Sequence, residues 1–253
     1  MTEPILEARD LVKHYGSVEA LRGASFAAHA GEVVALIGDN GAGKSTLVKC
    51  LSGVEHPDAG EILLDGKVVA LDSPTTARAY GIETVYQDLA VAPDLDPAAN
   101  LFLGRELRRG GLLGKLGMLD KVAMRRRAVD DFARLGVQLQ SVEVPIGALS
   151  GGQRQSVAVA RSVVWASKVV FMDEPTAALG VVQRERVLDV IKRVRDTGVS
   201  VVLISHNMPE VLAVADRIEV LRQGLRVARF TAAEATLEHL VGAMTGALSQ
   251  EDA

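Results

Sequence analysis

The fold expected for this chain is decided by GDNGAGKST, residues 38–46. The stretch matches the pattern G-x-x-x-x-G-K-[ST]; it follows the apolar run EVVALI and opens the helix-forming run GKSTLVKCLSG. In that setting, backbone N–H groups of a glycine-rich turn and the positive end of a helix dipole form a cradle for phosphate oxygens. The stretch therefore predicts a strand, a phosphate-binding loop and a helix, in that order.

Each residue type in this loop suits a task at the phosphates of a nucleotide. Its glycines let the backbone approach closely, where a Cβ would obstruct it. Lys44 is expected to reach the β and γ phosphates, and the Ser45 hydroxyl is expected to ligate Mg²⁺. The predicted nucleotide-binding residues of the loop are Gly38, Asp39, Asn40, Gly41, Ala42, Gly43, Lys44, Ser45 and Thr46.

A second apolar run, KVVFMDE at 168–174, delivers two carboxylates to the end of a predicted buried strand. Doubly wound sheets bind their ligands at the carboxyl ends of the strands, so these carboxylates are expected beside the phosphate loop. Asp173 suits an Mg²⁺ shell, directly or through water. Glu174 is predicted to act as general base on an attacking water.

Apolar runs and turn residues predict how the rest of the chain is organised. Residues 4–36 read as short strands, and EILLDGKVVAL, residues 61–71, reads as a hairpin with Asp65-Gly66 at its turn. Another strand ends in TVYQ, residues 84–87. From about 88 to 148 helical periodicity replaces the strand signals, which indicates an inserted helical lobe. Beyond it, helices alternate with continuous apolar strands, a pattern typical of a parallel sheet covered on both faces.

A second glycine-rich segment, ALSGGQRQSVAVAR at 148–161, also leads into an apolar helical run, and its helix start is another anion site. Within it, LSGGQRQ at 149–155 resembles the signature motif of ATP-binding cassette (ABC) ATPases. The family's other motifs stand around it in the family's order: an aromatic before the phosphate loop, a glutamine about forty residues after it, then DEPT and a histidine that closes a strand. The resemblance covers essentially the whole chain.

The resemblance implies an α/β P-loop NTPase fold, that of an ABC ATPase. It has a mostly parallel core sheet, an N-terminal antiparallel β subdomain and an inserted α-helical subdomain. The nucleotide-binding core, with its β subdomain, is expected at 1–87 and 165–253, and the helical subdomain, ending in the signature helix, at 88–164. ATP and Mg²⁺ are the cofactors that such a fold implies.

Residues outside the phosphate loop take their expected roles from the resemblance. Tyr15 resembles the aromatic residue that stacks on adenine, although taken alone it would more often be a core or strand residue. Gln87 resembles the glutamine that touches Mg²⁺ and the attacking water, and His206 resembles the switch histidine at the γ-phosphate. The predicted catalytic residues are therefore Lys44, Gln87, Glu174 and His206, and the predicted metal ligands are Ser45, Gln87 and Asp173.

In the family's arrangement, the helical subdomain faces away from its own phosphate loop. The signature is therefore expected to close on the γ-phosphate of ATP bound by a partner chain, so that two chains, head to tail, sandwich two ATP molecules. The residues expected to do so are Ser150, Gly151, Gly152 and Gln153. One departure concerns the run after DEPT, where most members continue S/A-A-L-D and this chain reads AALG, ending in Gly180. In the family, that aspartate supports communication across the dimer. The coupling between the two ATP sites is therefore the property in which this chain is expected to differ from the family.

Residues 72–106 and SHNMPEV at 205–211 are similar to ATPase subunits of bacterial importers for ribose, xylose, fructose or galactose. This similarity implies an ATPase that powers monosaccharide uptake through separate membrane subunits. The partners it implies are a second copy of this single cassette, permease subunits on the helical subdomain and, indirectly, a periplasmic or extracellular sugar-binding protein. The implied location is peripheral, on the cytoplasmic face of the cell membrane.

Composition agrees with that location and weighs against rival functions. The most apolar segment, residues 156–172, is broken by Arg161 and Lys168 and is shorter than the roughly 18 uninterrupted apolar residues of a membrane span. A net charge of −4 gives no sign of a nucleic-acid partner. The main alternative is a soluble ABC ATPase of DNA repair or translation, but the long coiled coil of the first and the paired cassettes and basic linkers of the second are missing. A P-loop kinase would leave LSGGQ unexplained.

Overall fold

The computed structural model of this chain describes residues 3–85, 91–139, 141–177 and 179–247. Its strands are β1 (Leu6–Tyr15), β2 (Val18–Ala28), β3 (Val33–Ile37), β4 (Ala59–Leu64), β5 (Lys67–Val68), β6 (Ile82–Val85), β7 (Val169–Asp173), β8 (Ser200–Ile204), β9 (Arg217–Arg222) and β10 (Leu225–Thr231). Its helices are α1 (Lys44–Leu51), α2 (Pro74–Ala79), α3 (Pro97–Leu101), α4 (Gly111–Lys115), α5 (Lys121–Arg134), α6 (Gly151–Val163), α7 (Val181–Asp196), α8 (Met208–Val214) and α9 (Leu237–Thr245), with a 3-10 turn at Ile146–Ala148.

The chain divides into two compact units. The first contains Met1–Thr84, Ala166–Glu174 and Val194–Ala253. The second contains Val85–Trp165 and Pro175–Arg193. The linear pattern did not indicate that residues 175–193 would group with the second unit.

The first unit begins with an antiparallel sheet of four strands in the order β2-β1-β4-β5. The predicted hairpin joins β4 to β5, with Asp65 and Gly66 at its turn. Both residues have positive φ, 50° and 72°, as the favoured two-residue hairpin turns require. This part of the sequence prediction is confirmed.

The second sheet of the same unit has six strands in the order β10-β9-β3-β8-β7-β6. β3 runs parallel to both β8 and β9, and β7 runs parallel to β8. Every residue of β3 and β8 is buried, because both faces of these apolar strands are covered by other parts of the chain. β10, which the sequence pattern did not indicate, is antiparallel to β9 at one edge of this sheet. The predicted fold class, with its mostly parallel core sheet and antiparallel β subdomain, is confirmed.

The core of the first unit joins both sheets to α1. Leu47 and Leu51 of α1 belong to the same buried cluster as Phe26 of β2, Leu36 of β3 and Phe171 of β7. The carboxyl ends of β3 and β7 lead directly into the phosphate loop and into Glu174, so this core sets the positions of both predicted motifs.

The second unit is helical, and α3 packs against both α5 and α6. Trp165, just beyond α6, donates a hydrogen bond from its indole N–H to the carbonyl of Leu101 at 2.9 Å. Its ring meets the edge of Phe102 at a centroid distance of 5.5 Å. Within the described part of the chain, no helix is long and apolar enough to cross a membrane.

Candidate nucleotide-binding site

The phosphate loop lies between β3 and α1, and two of its glycines are required by the chain's own backbone. A Cβ on Gly38 would lie 2.2 Å from the carbonyl oxygen of Leu221. A Cβ on Gly43 would lie 2.7 Å from the carbonyl oxygen of Ala20, and Gly43 also has a φ of 102°. No other residue fits at these two positions without moving a neighbouring strand.

Lys44 bends back over this loop. Its ammonium donates hydrogen bonds to the carbonyl of Gly38 at 2.7 Å and to that of Asp39 at 3.0 Å. Burial lowers the pKa of Lys44, while the nearby carboxylates of Glu174, Asp39 and Asp173 oppose that shift. The cation therefore lies on the loop and close to the acidic end of β7.

The start of α1 has no side-chain cap. Its N-cap residue is Gly43, which makes no side-chain hydrogen bond to the helix. The first backbone N–H groups of a helix have no partner within the helix, so an uncapped start leaves them for a ligand. The loop residues before it, Asp39, Asn40 and Gly41, are exposed, as is Ser45.

The acidic end of β7 carries Asp173 and Glu174. Glu174 has a φ of 48°, which is unusual for a residue other than glycine, and its backbone N–H donates to the carbonyl of Ile204 at 3.0 Å. Such strained residues are found most often where function requires them. Burial raises the pKa of both carboxyl groups.

His206 lies beside this glutamate, immediately beyond β8. Its Nε2 is 3.5 Å from Oε1 of Glu174, and its side chain is about half exposed. Oε1 of Glu174 is itself buried and makes no hydrogen bond with the described residues. His206 lowers the pKa of Glu174 in part, against the larger effect of burial. The carboxylate therefore has an oxygen free to take a proton.

Tyr15 ends β1 with its ring 41% exposed. Burial raises the pKa of the Tyr15 hydroxyl, and the nearby side chain of Thr46 in α1 opposes that shift in part. The ammonium of Lys13 lies 5.9 Å from the ring centroid. Sequence reasoning did not place Thr46 near the Tyr15 hydroxyl, because no local pattern links residues so far apart in the chain.

The signature segment lies in the second unit, at the start of α6. Ser150 is the N-cap residue and forms a capping box with Gln153, with N···O distances of 3.3 and 3.1 Å. Gly151 is exposed, and a Cβ built on it meets no atom within 4 Å. A Cβ on Gly152 would lie 2.3 Å from Cγ of Gln183. Nothing in the chain itself therefore requires glycine at position 151.

The first unit thus brings together most of the predicted site. The residues that lie there are Tyr15, Gly38, Asp39, Asn40, Gly41, Ala42, Gly43, Lys44, Ser45, Thr46, Asp173, Glu174 and His206. Ser150, Gly151, Gly152 and Gln153 lie in the second unit. Gln87, predicted to be both catalytic and a metal ligand, lies outside the described residues.

The donor set at the loop fits Mg²⁺. The hydroxyl of Ser45 and the carboxylate of Asp173 are oxygen donors, which Mg²⁺ prefers. No group of three or more His, Cys, Asp or Glu side chains that could hold a metal occurs among the described residues. Since Mg²⁺ is usually bound by one or two carboxylates together with substrate phosphates, these residues fit a metal that arrives with the nucleotide.

Comparison with known proteins identifies this arrangement. The ABC transporter family model matches residues 21–177, more than half of the chain. The chain belongs to the ABC transporter family. The predicted family is confirmed, and the chain is an ABC ATPase.

Similar cassettes occur in proteins with recorded functions. A fructose import ATP-binding protein from Rhizobium meliloti is 52% identical, over 97% of this chain and 95% of its own length. A xylose/arabinose import ATP-binding protein from Sulfolobus acidocaldarius is 44% identical, over 95% of this chain and 94% of its own length. A ribose import ATP-binding protein from Burkholderia pseudomallei is 41% identical; the match covers 96% of this chain but only 47% of that protein.

Solved structures agree with the family. The ADP conformation of an ATP-binding cassette of an ABC transporter superposes with a TM-score of 0.79 at 25% identity, and the match covers 96% of each chain. The structure of cbiO1 from Clostridium perfringens, part of an ABC transporter complex, superposes with a TM-score of 0.78 at 26% identity, covering 95% of this chain and 93% of that one. The cassette fold is therefore shared along nearly the whole chain.

Proposed function

We propose that this chain hydrolyses ATP to power the import of a monosaccharide through separate membrane subunits. The observation that carries the proposal is the 52% identity to a fructose import ATP-binding protein over nearly the full length of both chains. Two further similar proteins are named for the import of xylose/arabinose and of ribose. The sugars in these names are all pentoses or hexoses.

At the phosphate loop, Lys44 would exchange partners when ATP binds. Its ammonium now bonds the carbonyls of Gly38 and Asp39, and the β and γ phosphate oxygens would offer it stronger, charged acceptors. The uncapped start of α1 would offer its free N–H groups to the same phosphates. Tyr15 would present its exposed ring to the adenine.

Glu174 is the proposed general base. Water attacks the γ-phosphorus, the bond from that phosphorus to the β,γ-bridging oxygen breaks, and the proton of the water passes to the Glu174 carboxylate. Burial raises the pKa of Glu174, which makes it a better base than an exposed glutamate. His206, 3.5 Å from that carboxylate, would contact the γ-phosphate. Mg²⁺, held by Ser45 and Asp173, would neutralise the charge on the phosphates.

The signature would serve a second copy of the chain. Gly151 is exposed and meets no atom of its own chain, so the face it presents is open to close approach by a phosphate. A homodimer in which each signature closes on the ATP of the other chain would use that open face. Closure on ATP and opening after hydrolysis would then alternate the access of the membrane channel.

Membrane subunits would dock on the helical unit. That unit contains a cavity of about 370 Å³ whose lining combines apolar and charged side chains. The lining includes Leu95, Leu103, Leu119, Met124, Lys121 and Arg125. An amphipathic segment of a permease would fit such a lining. In this assembly the cassette is peripheral, on the cytoplasmic face, and a sugar-binding protein outside the membrane acts only indirectly.

The proposal is tested by transport. Deleting the gene in the source organism should abolish the uptake of one labelled sugar among fructose, xylose, arabinose and ribose. The wild-type gene should restore that uptake, and the Lys44→Ala gene should not. Unchanged uptake of all four sugars after deletion would reject this substrate class.

A further inference from the structure

The end of β1, which carries Tyr15, has a neighbouring strand on one side only. On that side, β2 pairs with β1 as far as Tyr15. On the other side, among the described residues, the pairing with β4 stops at Val12, which lies opposite Ala59. Backbone N–H groups of a strand need acceptors, so residues 13–15 require another support if the ring of Tyr15 is to keep one position.

Asp58, the residue before β4, supplies that support. Its backbone N–H donates to the carbonyl of Val12 at 2.8 Å, which continues the pairing by one residue. Its carboxylate then accepts the backbone N–H of His14 at 2.6 Å and the ammonium of Lys13 at 3.0 Å. Nδ1 of the His14 ring lies 3.3 Å from the same carboxylate. A side-chain oxygen therefore takes the place of a strand carbonyl, in a contact between residues 44 positions apart in the chain.

The contacts of Asp58 favour its ionised form. The backbone N–H of His14, and after it the side chain of Lys13, lower the pKa of Asp58. The hydrogen bond to Asp58 in turn raises the pKa of Lys13. Hydrogen bonds between charged groups are stronger than neutral ones. Since the ammonium of Lys13 is the cation near the ring of Tyr15, one carboxylate holds both the backbone next to that ring and the charge beside it.

Asp58 also ends the connection that leads from α1 to β4. The backbone N–H groups of Val54 and Glu55 in this connection donate to the carbonyl of Lys49 in α1, at 2.9 and 3.1 Å. α1 begins at the phosphate loop. The connection is therefore held at one end by the helix of the phosphate loop, and at the other end it holds the strand that carries Tyr15.

We propose that Asp58 is a positioning residue for the adenine end of the nucleotide, because its carboxylate holds the last residues of β1 and so presents the ring of Tyr15 to the base. The inference rests on the proposed function, in which that ring meets adenine. Removing the carboxylate would leave the N–H of His14 and the ammonium of Lys13 without this acceptor. ATP binding would then have to order the end of β1, and ordering a loose segment lowers affinity.

Equilibrium binding of ATP and of inorganic tripolyphosphate, which has no base, to the full chain tests this role. Asp58→Ala should raise the Kd for ATP by about fivefold, a part of the loss that removal of a stacked ring brings. The Kd for tripolyphosphate should not change, since the phosphate loop is intact. Asp58→Asn keeps an acceptor oxygen for the N–H of His14 and should lose less. The matched control is Glu61→Ala, an exposed carboxylate of β4 opposite Arg9, which should bind both compounds as wild type does.

A double substitution sharpens the test. Tyr15→Ala removes the ring, so Asp58→Ala should weaken ATP binding much less in a chain that already carries Tyr15→Ala than in the wild type. Such non-additivity is expected when one residue acts through another. Thermal unfolding without nucleotide gives the Tm of each variant, and binding is measured well below the lowest of them, so that unfolding does not contribute to the loss.

The outcomes separate this inference from the proposed function. If the wild type does not bind ATP, the proposed function fails. If Tyr15→Ala weakens ATP binding but Asp58→Ala matches Glu61→Ala, the positioning role is wrong and the proposed function stands. Equal losses of ATP and tripolyphosphate binding in Asp58→Ala would also overturn the positioning role, as would additive effects of Asp58→Ala and Tyr15→Ala. If Tyr15→Ala binds ATP as wild type does, the ring does not meet the base and the inference fails with that contact.

Discussion

At the start of α1 the chain's own backbone demands glycine, whereas at the start of α6 Gly151 meets no atom of the chain at all. Gly38 and Gly43 lie so close to the carbonyls of Leu221 and Ala20 that a Cβ would clash. The two helix starts also differ in capping: α1 has no side-chain cap, and α6 has a complete capping box between Ser150 and Gln153.

The phosphate site at the start of α1 is thus formed within one chain, whereas the start of α6 presents an exposed face to another molecule. An uncapped helix start leaves its N–H groups to a ligand, and α1 follows a loop shaped by its own strands. A capping box already satisfies two of those groups at α6, so its stability does not depend on a ligand. The glycine that nothing in its own chain requires then points to a close approach from outside.

The largest effect is expected at the α1 site. Lys44→Ala should lower ATPase activity by about 10²–10³-fold, because it removes a charge placed on the phosphates. Lys49→Ala, on the exposed side of the same helix, is the matched control and should retain activity. Steady-state ATPase assays of the two variants measure this difference. Equal activity of the two variants would show that α1 is not a phosphate site.

Glu174→Gln should lower turnover by about 10²-fold while ATP binding, measured by filtration, persists. Glu174 must be ionised to accept a proton, and burial raises its pKa, so kcat/KM should fall as pH drops through a value above the ordinary range for glutamate. His206 lowers that pKa in part, and His206→Ala should therefore move the acid limb to higher pH. An acid limb that moved to lower pH would contradict the assigned contact.

Mixing two inactive variants tests whether α6 serves a partner. Lys44→Ala damages the phosphate loop, and Gly151→Asp adds a carboxylate that would repel a phosphate. A mixed dimer would contain one site with both parts intact and one site with both lesions, so partial recovery of ATPase activity is expected on mixing. The assay needs the membrane subunits, so that dimers form. If mixed dimers are present and bind ATP without recovery, each signature serves its own chain or none.

The smallest effects are expected when a glycine at each of the two helix starts is replaced by alanine. Gly43→Ala should destabilise the chain by about 1–3 kcal/mol, because φ is positive there and a Cβ meets a carbonyl. Gly151→Ala should leave the stability unchanged or raise it by about 0.4–1 kcal/mol, since the site is open and the unfolded chain loses freedom. Denaturant unfolding measures both, and ATPase activity should nevertheless fall in Gly151→Ala. A destabilised Gly151→Ala variant would remove the contrast between the two helix starts.

Sequence patterns located the elements whose signals are local. β3 and β7 are dominated by apolar residues, and each was found near its predicted place. β10 was missed, because its arginines hide the strand pattern: Arg226 and Arg229 both reach the fully buried carboxylate of Glu219 on β9. That pairing depends on the neighbouring strand and leaves no mark on the local pattern. The short helix α2 and the helix α9 were missed as well.

The sequence by itself determined the order of the motifs, the phosphate chemistry of the loop and the family, because each depends on residue types at short, regular spacings. Only the tertiary structure decided which glycines the chain itself requires, that the side chain of Thr46 lies near the Tyr15 hydroxyl, and that the side chain of Gln183 lies against Gly152. Those contacts join residues from separate elements. They depend on how side chains fill the shared space once the chain has folded, and that packing cannot be read from neighbours along the sequence.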